Sequence, residues 1–382
     1  MKKITIRILA LTTLIIASCF FVSGLQKVFF NFSGEEPQRL KAFYLEEKNT
    51  LDVVVIGSSE IKLGYSAPEV YKQTGITSFP YCCSVNPVTL WKYELNDIKK
   101  YQNPKVVIVE INGAIYEKDK HILSKGAFYK LTESMPLSIN KYNLVKDRRP
   151  EGDKILDVMI PFIKYHGKWN DVFDNTYYKD NIMQIKRGYA VLRGAQTPLD
   201  QDEIAPEGPY PGRDEKLKLN KNAEPALREF LDICKEDEDT DYVFVQFPHL
   251  MTEELSYTRS KRYNEAAEII QEYGFEYIDY SAIKDEIGLD PKIDFYDSEH
   301  MNAGGQRKLS IYMVGQIAEK YGLEPSELSS KQRETWENSI DYINRFYKYY
   351  DDYRNKHNND GTKAGFSLKE SCEVIKKLDE ME

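Results

Sequence analysis

Apolar and polar positions along the chain alternate in a way that predicts strands and helices in turn. Continuous apolar runs predict buried strands at 52–56, at 106–109 and within the stretches "TDYVFVQFP" and "FEYIDYS". Helical periodicity marks the stretches around them, including "TLWKYELNDIKKYQ" and "GGQRKLSIYMVGQIAEKYG". Because continuous apolar strands that alternate with helices are typical of parallel sheets covered on both faces, the pattern predicts an α/β fold.

The N-terminus carries a longer apolar run. Residues 8–25 contain no charged side chain, which is enough to span a bilayer, and Lys2, Lys3 and Arg7 precede them. By the positive-inside rule these cations predict a cytoplasmic N-terminus, with the rest of the chain outside the cell membrane, and a lysine-rich start of this kind is typical of bacteria. Two alternatives stay open: a cleaved signal peptide, and a lipoprotein processing site at Cys19.

The pattern divides the chain into an anchor at 1–32 and three further parts. Residues 33–50 are polar and charged, and they predict a short stalk. Residues 51–322 hold the sheet domain, which a charged insertion rich in tyrosine and proline interrupts at 117–220. Such an insertion predicts a lid or a substrate-binding surface, with surface decoration as the alternative. From 323 to 382, apolar residues at helical spacing predict a helical extension packed on the body, or a face for a partner.

Charge and cysteine content narrow the function classes. The formal charge is −9 at pH 7, and no basic patch with interleaved aromatic residues is present, so no nucleic-acid partner is expected. The five cysteines, with Cys82 and Cys83 adjacent, match neither a disulfide framework nor a zinc motif, and the adjacent pair is interpreted as buried packing. Phosphate-loop, dinucleotide and metal-ligand spacings are also missing from the sequence, so no cofactor and no metal is expected.

Two short motifs carry candidate chemistry. In "VVVIGSSE", Ser58 and Ser59 lie where a buried strand gives way to a helix, a common position for a nucleophile. In "DFYDSEHMNAGG", Asp297 and His300 are three residues apart before the last core helix, so the carboxylate can orient the imidazole. His300 would then be the general base for Ser59. Either motif alone is weak, because Gly-Ser-Ser turns often only cap helices, but their order and context together predict one site.

These motifs resemble those of the GDSL/SGNH hydrolase superfamily, and the Gly-Ser-Ser-Glu form at 57–60 looks like its membrane-anchored, DltD-like branch of envelope acyltransferases. The resemblance covers residues 50–116 and 240–322. It implies a three-layer α/β/α, flavodoxin-like sheet and a catalytic triad of Ser59, Asp297 and His300.

The resemblance also implies further site residues. The third sequence block of the family falls on Asn112, whose amide would donate to an oxyanion, although the usual glycine and aspartate of that block are missing. The second block lacks its glycine, so Ser84 or a neighbouring backbone N–H would substitute. His249, at the end of a strand, and His166, in the insertion, are candidate substrate contacts, with structural roles as the alternative. Glu60 is interpreted as a first-turn helix acid.

These features predict a membrane-anchored, extracytoplasmic serine enzyme that forms a covalent acyl ester on Ser59. Water or a sugar hydroxyl would accept the acyl group, so hydrolysis and O-acyl transfer both stay open. Anchorage favours a cell-envelope substrate, such as an acetylated glycan or a teichoic acid. The resemblance alone implies a membrane-bound O-acyltransferase as partner. A scaffold that kept the fold and lost efficient catalysis is the alternative outside enzymes, because the second and third blocks are imperfect.

Overall fold

The computed structural model describes residues 2–28, 35–160, 163, 167, 185, 190–196, 204 and 206–356. Its strands are β1 (Val53–Gly57), β2 (Ser78–Cys82), β3 (Val106–Glu110), β4 (Asp241–Gln246) and β5 (Glu276–Asp279). The helices of the first half are α1 (Lys2–Val28), α2 (Glu35–Phe43), α3 (Ser59–Gly64), α4 (Ala67–Thr74), α5 (Val88–Tyr101), α6 (Asp119–Ile122), α7 (Lys125–Ser134), α8 (Ile139–Arg148) and α9 (Ile155–Met159). After these come α10 (Ala223–Glu236), α11 (Glu254–Glu272), α12 (Lys284–Ile287), α13 (Ala303–Tyr321) and α14 (Ser330–Lys356).

The strands form one parallel sheet in the order β2-β1-β3-β4-β5. Val53 is paired with Val106 on one side, and Gly57 with Cys82 on the other, so the carboxyl ends of the strands meet at one edge. The residues of β1, β2 and β3 are all buried, as continuous apolar strands require. The predicted α/β class with a parallel sheet is confirmed.

β2 is a strand that the apolar pattern did not predict. Its sequence is Ser-Phe-Pro-Tyr-Cys, and Pro80 at its centre cannot donate a backbone hydrogen bond. Such a proline argues against a strand in the middle of a sheet but is tolerated at an edge. β2 is the first strand in the sheet order, where only one side has to pair.

The stalk predicted at 33–50 is replaced by a packed helix. Within α2, Leu40, Ala42 and Phe43 are 1%, 0% and 0% exposed and belong to the main hydrophobic core. The helix packs against β2 and α7. The prediction was wrong because the many charged residues of this stretch conceal one apolar face, with Leu40 and Phe43 one turn apart. The folded body therefore begins at α2.

α1 is the one helix in the described part of the chain that is long and apolar enough to cross a membrane, over Lys3–Val22. From Ile4 to Phe21 its apolar side chains are exposed, and none of them belongs to the hydrophobic core. The hydroxyls of Thr12 and Thr13 donate to the carbonyls of Ile8 and Leu9, at 2.9 Å each. The helix itself therefore satisfies these two hydroxyls, which suits an apolar surrounding.

α14 closes the other end of the described chain. Trp336 and Ile343 are 2% and 0% exposed, the helix packs against α4, and its Asp351 pairs with Arg307 of α13 at 3.1 Å. The Trp336 ring lies 4.7 Å from the ring of Tyr71, and the Arg193 guanidinium lies 4.1 Å from it on another side. These contacts join the C-terminal helix to the sheet domain.

Candidate active site

Ser59 lies at the carboxyl edge of the sheet. β1 ends at Gly57, Ser58 caps the next helix, and Ser59 is the first residue of α3. In parallel sheets with this strand order, the order in which strands are added reverses between β1 and β3, and ligands bind outside the carboxyl ends there. The turn from β1 into α3 needs glycine at position 57, because a Cβ there would lie 2.6 Å from Ile61 Cγ1 and 2.8 Å from Glu110 Cβ. The main chain thus places the Ser59 hydroxyl at the edge of the sheet where ligands are expected to bind.

The Ser59 hydroxyl is hydrogen-bonded to His300, at 2.8 Å between Oγ and Nε2. His300 Nδ1 lies 2.9 Å from both carboxylate oxygens of Asp297. A carboxylate only accepts, so Nδ1 carries the hydrogen and Nε2 is left to accept from the serine O–H. The structure thus brings the three residues of the two motifs into one hydrogen-bonded chain.

The loop that carries the histidine is held by its own backbone. Asp297 Oδ1 accepts the N–H groups of Glu299 and His300, at 2.8 Å each. The N–H of Tyr296 donates to the carbonyl of His300 at 2.8 Å, which closes the loop on itself. Asp297 therefore fixes both the backbone and the imidazole, and the histidine is positioned before any substrate arrives.

Asn302 connects this loop to two helices. Its Oδ1 accepts the N–H groups of Gly304 and Gly305, at 3.0 and 3.3 Å, and so caps α13. Its Nδ2 donates to the carbonyl of Ile293 at 2.7 Å. The hydroxyl of Tyr350, from α14, donates to the same Oδ1 at 3.1 Å. α14 thereby supports the residue that follows the loop of Asp297 and His300.

A buried acid lies directly behind the serine. Glu60 is 2% exposed, its carboxyl accepts from Asn112 Nδ2, and His249 Nε2 lies 3.0 Å from its Oε1. Burial raises the pKa of Glu60 to about 8, against the smaller opposing effects of His300 and Arg259. Burial lowers the pKa of His249 to about 3. Both groups are therefore neutral at pH 7, and their contact joins a protonated acid to a neutral imidazole.

A second buried acid ties β1 to β3. Glu110 Oε2 accepts the N–H of Ser58 at 2.9 Å and its hydroxyl at 2.8 Å, and the other carboxylate oxygen accepts the N–H of Asn112. Burial and the nearby Glu60 raise the pKa of Glu110 to about 8. Ser58 is thus fixed to the neighbouring strand, which limits movement of the adjacent Ser59.

The two predicted oxyanion residues have other partners. Both amide hydrogens of Asn112 are occupied, one by Glu60 and one by the Ser58 hydroxyl at 3.3 Å. The N–H of Ser84 donates to Glu36 at 2.8 Å, and its hydroxyl accepts from Lys62 Nζ at 3.2 Å. The Asn112 amide therefore has no unused N–H to direct toward Ser59. Ser84 and Asn112, the residues of the imperfect second and third blocks, thus already form hydrogen bonds within the fold.

The predicted substrate contact of His249 does not agree with its burial. The residue is 3% exposed and packs on the ring of Tyr263 at 5.5 Å, so it has almost no surface to offer a ligand. His166 lies outside the described residues. Sequence reasoning missed the partnership of Glu60 with His249, and the one available signal was an acid next to a predicted nucleophile.

No protein-family model matches this chain, and no curated protein matches it in sequence. Over the described ranges, no group of three His, Cys, Asp or Glu side chains is placed to hold a metal ion. What the site can do therefore has to be judged from its own geometry.

Proposed function

We propose that this chain is a membrane-anchored serine enzyme of SGNH type that cleaves or transfers an acyl ester. The observation that carries the proposal is the hydrogen-bonded chain from Ser59 through His300 to Asp297 at the carboxyl edge of the sheet. The side chains of His300 and Asp297 are 19% and 35% exposed, so a substrate can approach them from solvent. A serine so placed has the base and the orienting acid that nucleophilic catalysis needs.

The chemistry follows from the three positions. His300 Nε2 takes the proton of Ser59 as Oγ attacks the ester carbonyl, and Asp297 stabilises the imidazolium that forms. The imidazolium then gives that proton to the leaving alcohol, and an acyl ester remains on Ser59. Water or a second hydroxyl, deprotonated by His300, attacks the acyl ester and restores the serine. The backbone N–H of Ser59 begins α3 and has no acceptor within the helix, which makes it our proposed donor to the oxyanion.

The strand order 2-1-3-4-5 supports the finer assignment to a flavodoxin-like, three-layer SGNH fold. The triad residues support it too, because they occupy the first and last motifs of that superfamily. The occupied amide of Asn112 departs from the pattern and favours a backbone donor over a side-chain donor.

The proposed location is the outer face of a bacterial cell membrane, with α1 as the anchor. Lys2, Lys3 and Arg7 support a cytoplasmic N-terminus. A tethered catalytic domain suits an immobile substrate such as an envelope glycan or teichoic acid. Transfer, with a membrane-bound O-acyltransferase as partner, and hydrolysis share every residue named above.

The test is a fluorophosphonate label and an aryl acetate ester, applied to the full chain in detergent. We expect the wild type to be labelled, and Ser59→Ala to lose labelling and at least about 10³-fold of the ester turnover. Ser58→Ala is the matched control, because Ser58 is buried and faces Glu110. It should still be labelled. Equal labelling of Ser59→Ala would refute the nucleophile, and an unlabelled wild type would favour the catalytically weak scaffold.

A further inference from the structure

The stretch from 120 to 149 is basic in an otherwise acidic chain. It holds seven Lys and Arg residues against two acids, Glu133 and Asp147, whereas the whole chain carries −9. These residues contribute to α6, α7 and α8. The contacting pair α7 and α8 is called the basic hairpin below, residues 125–149. A local cationic surplus of this kind attracts an anionic surface even when the net charge of the protein is negative.

The exposed face of α8 combines this charge with apolar side chains. Ile139 and Tyr142 are 81% and 45% exposed, and Lys146 and Arg149 are exposed on the same helical stripe, at spacings of three, four and three residues. Leu144 is fully buried on the opposite side. One stripe therefore presents a large apolar side chain and a tyrosine at one end and two cations at the other, which is the composition of a membrane-surface helix.

The basic hairpin lies next to the point where the chain leaves the anchor. Val28 ends α1 and Glu35 begins α2, so the seven steps between them can span at most about 25 Å. α2 packs against α7, and Glu36 pairs with Lys130 of that helix. Glu36 also lies 3.6 Å from Lys62, one turn after Ser59. The start of α2 thus touches both the hairpin and the catalytic edge.

We propose that the exposed face of the basic hairpin docks on the anionic phospholipid surface of the bilayer that holds α1. Ile139 and Tyr142 enter the headgroup region, and Lys146 and Arg149 contact lipid phosphates. Docking holds the carboxyl edge of the sheet close to the lipid headgroups, so the acyl ester that reaches Ser59 belongs to a membrane-borne molecule. The docking rests on the proposed anchoring by α1 and not on the acyl chemistry.

The test uses the full chain in nanodiscs that contain brominated phosphatidylglycerol and phosphatidylcholine. Ile139→Trp adds an indole to the proposed face, and Leu255→Trp is the matched control, because Leu255 is 43% exposed on α11. We expect bromine to quench the added indole at 139 and not the one at 255. Equal quenching at the two positions would overturn the proposal, and so would failure of the chain to join the nanodiscs.

Charge reversal then tests the anionic surface. Lys146→Glu with Arg149→Glu, in the Ile139→Trp background, should abolish most of the quenching, as should nanodiscs of phosphatidylcholine alone. The control reverses Lys331 and Lys348 on α14, whose side chains are 81% and 79% exposed, and should leave the quenching unchanged. Quenching that stays the same after charge reversal and in phosphatidylcholine alone would show that anionic lipid has no part in the docking. None of these readouts depends on Ser59, so a failed docking and a failed enzyme assignment are distinguishable.

Discussion

At the scale of single residues, Glu60 determines how the site should respond to pH. As the pH rises through about 8, its carboxyl ionises in a buried position. The new charge lies near groups from every neighbouring element: His249, His300, Asp297, Arg259, Tyr263, Glu110 and Tyr116. It would repel Asp297 and the negative charge that develops on the substrate carbonyl during the proposed attack by Ser59. Ester turnover should therefore fall above about pH 8.

Glu60→Gln tests this dependence. Glutamine can keep an oxygen at the position of Oε1, which accepts from Asn112 and lies 3.0 Å from His249 Nε2, and it cannot ionise. We expect near wild-type kcat/KM at pH 7 and a profile without the alkaline decline, measured with the aryl acetate ester. An inactive Gln variant that still folds would show instead that the reaction needs an ionised carboxylate.

Short motifs could reveal Ser59, Asp297 and His300, because each motif needs only a few residues of local chain. The pairing of Glu60 with His249 could not be found in this way. It depends on burial and on a contact between the loops after β1 and β4, which no local pattern records. The occupied amide of Asn112 is hidden for the same reason, since a motif identifies a donor and not its partner.

At the scale of elements, the first turn of α13 packs against the backbone that leads into the Asp297–His300 loop. A Cβ on Gly305 would lie 2.2 Å from the carbonyl oxygen of Asp294, so that backbone must move. Gly315, in the same helix, has open space at its Cβ position. We expect Gly305→Ala to cost about 1–3 kcal/mol of unfolding free energy and to lose ester turnover.

Gly315→Ala is the matched control, and it should stabilise the protein by about 0.5–1 kcal/mol with unchanged turnover. Urea denaturation and the ester assay measure both variants. Equal effects of the two substitutions would mean that helix propensity, and not the close approach to Asp294, decides the outcome.

Elements with continuous apolar sequence were predicted from the pattern, because burial on both faces leaves few polar positions. The elements that were missed carry mixed signals. β2 contains Pro80, which only its edge position permits, and α2 buries one narrow face under a charged sequence. In both cases tertiary position outweighs local composition.

At the scale of the whole molecule, buried acids make stability depend on pH. Burial raises the pKa of Glu60, Glu94 and Glu110 from 4.5 to about 8. Between pH 4.5 and about pH 8, the folded form therefore binds more protons than the unfolded form. The stability that these acids contribute is complete below about pH 4.5 and is lost as the pH rises through about 8.

Glu94→Gln isolates one of the three acids. Its carboxyl accepts from Asn86 at 2.9 Å, a bond that glutamine can keep. Groups that titrate in the opposite sense, such as His249, affect wild type and variant alike and cancel in the difference. We expect the unfolding free energy of the wild type to fall, relative to the variant, between about pH 5 and about pH 8 in urea titrations. A constant difference would show that Glu94 is ionised throughout.

The hydrogen bond from Tyr350 to Asn302 has a consequence for biosynthesis. A ribosome makes Ser59 early, His300 more than two hundred residues later, and Tyr350 after both. On the proposed assignment, a nascent chain therefore holds the serine before its base. A product that stops before 330 contains Ser59, Asp297 and His300 but lacks the tyrosine that bonds to Asn302. On that assignment, the reactive arrangement is complete only in a chain whose translation has passed α14.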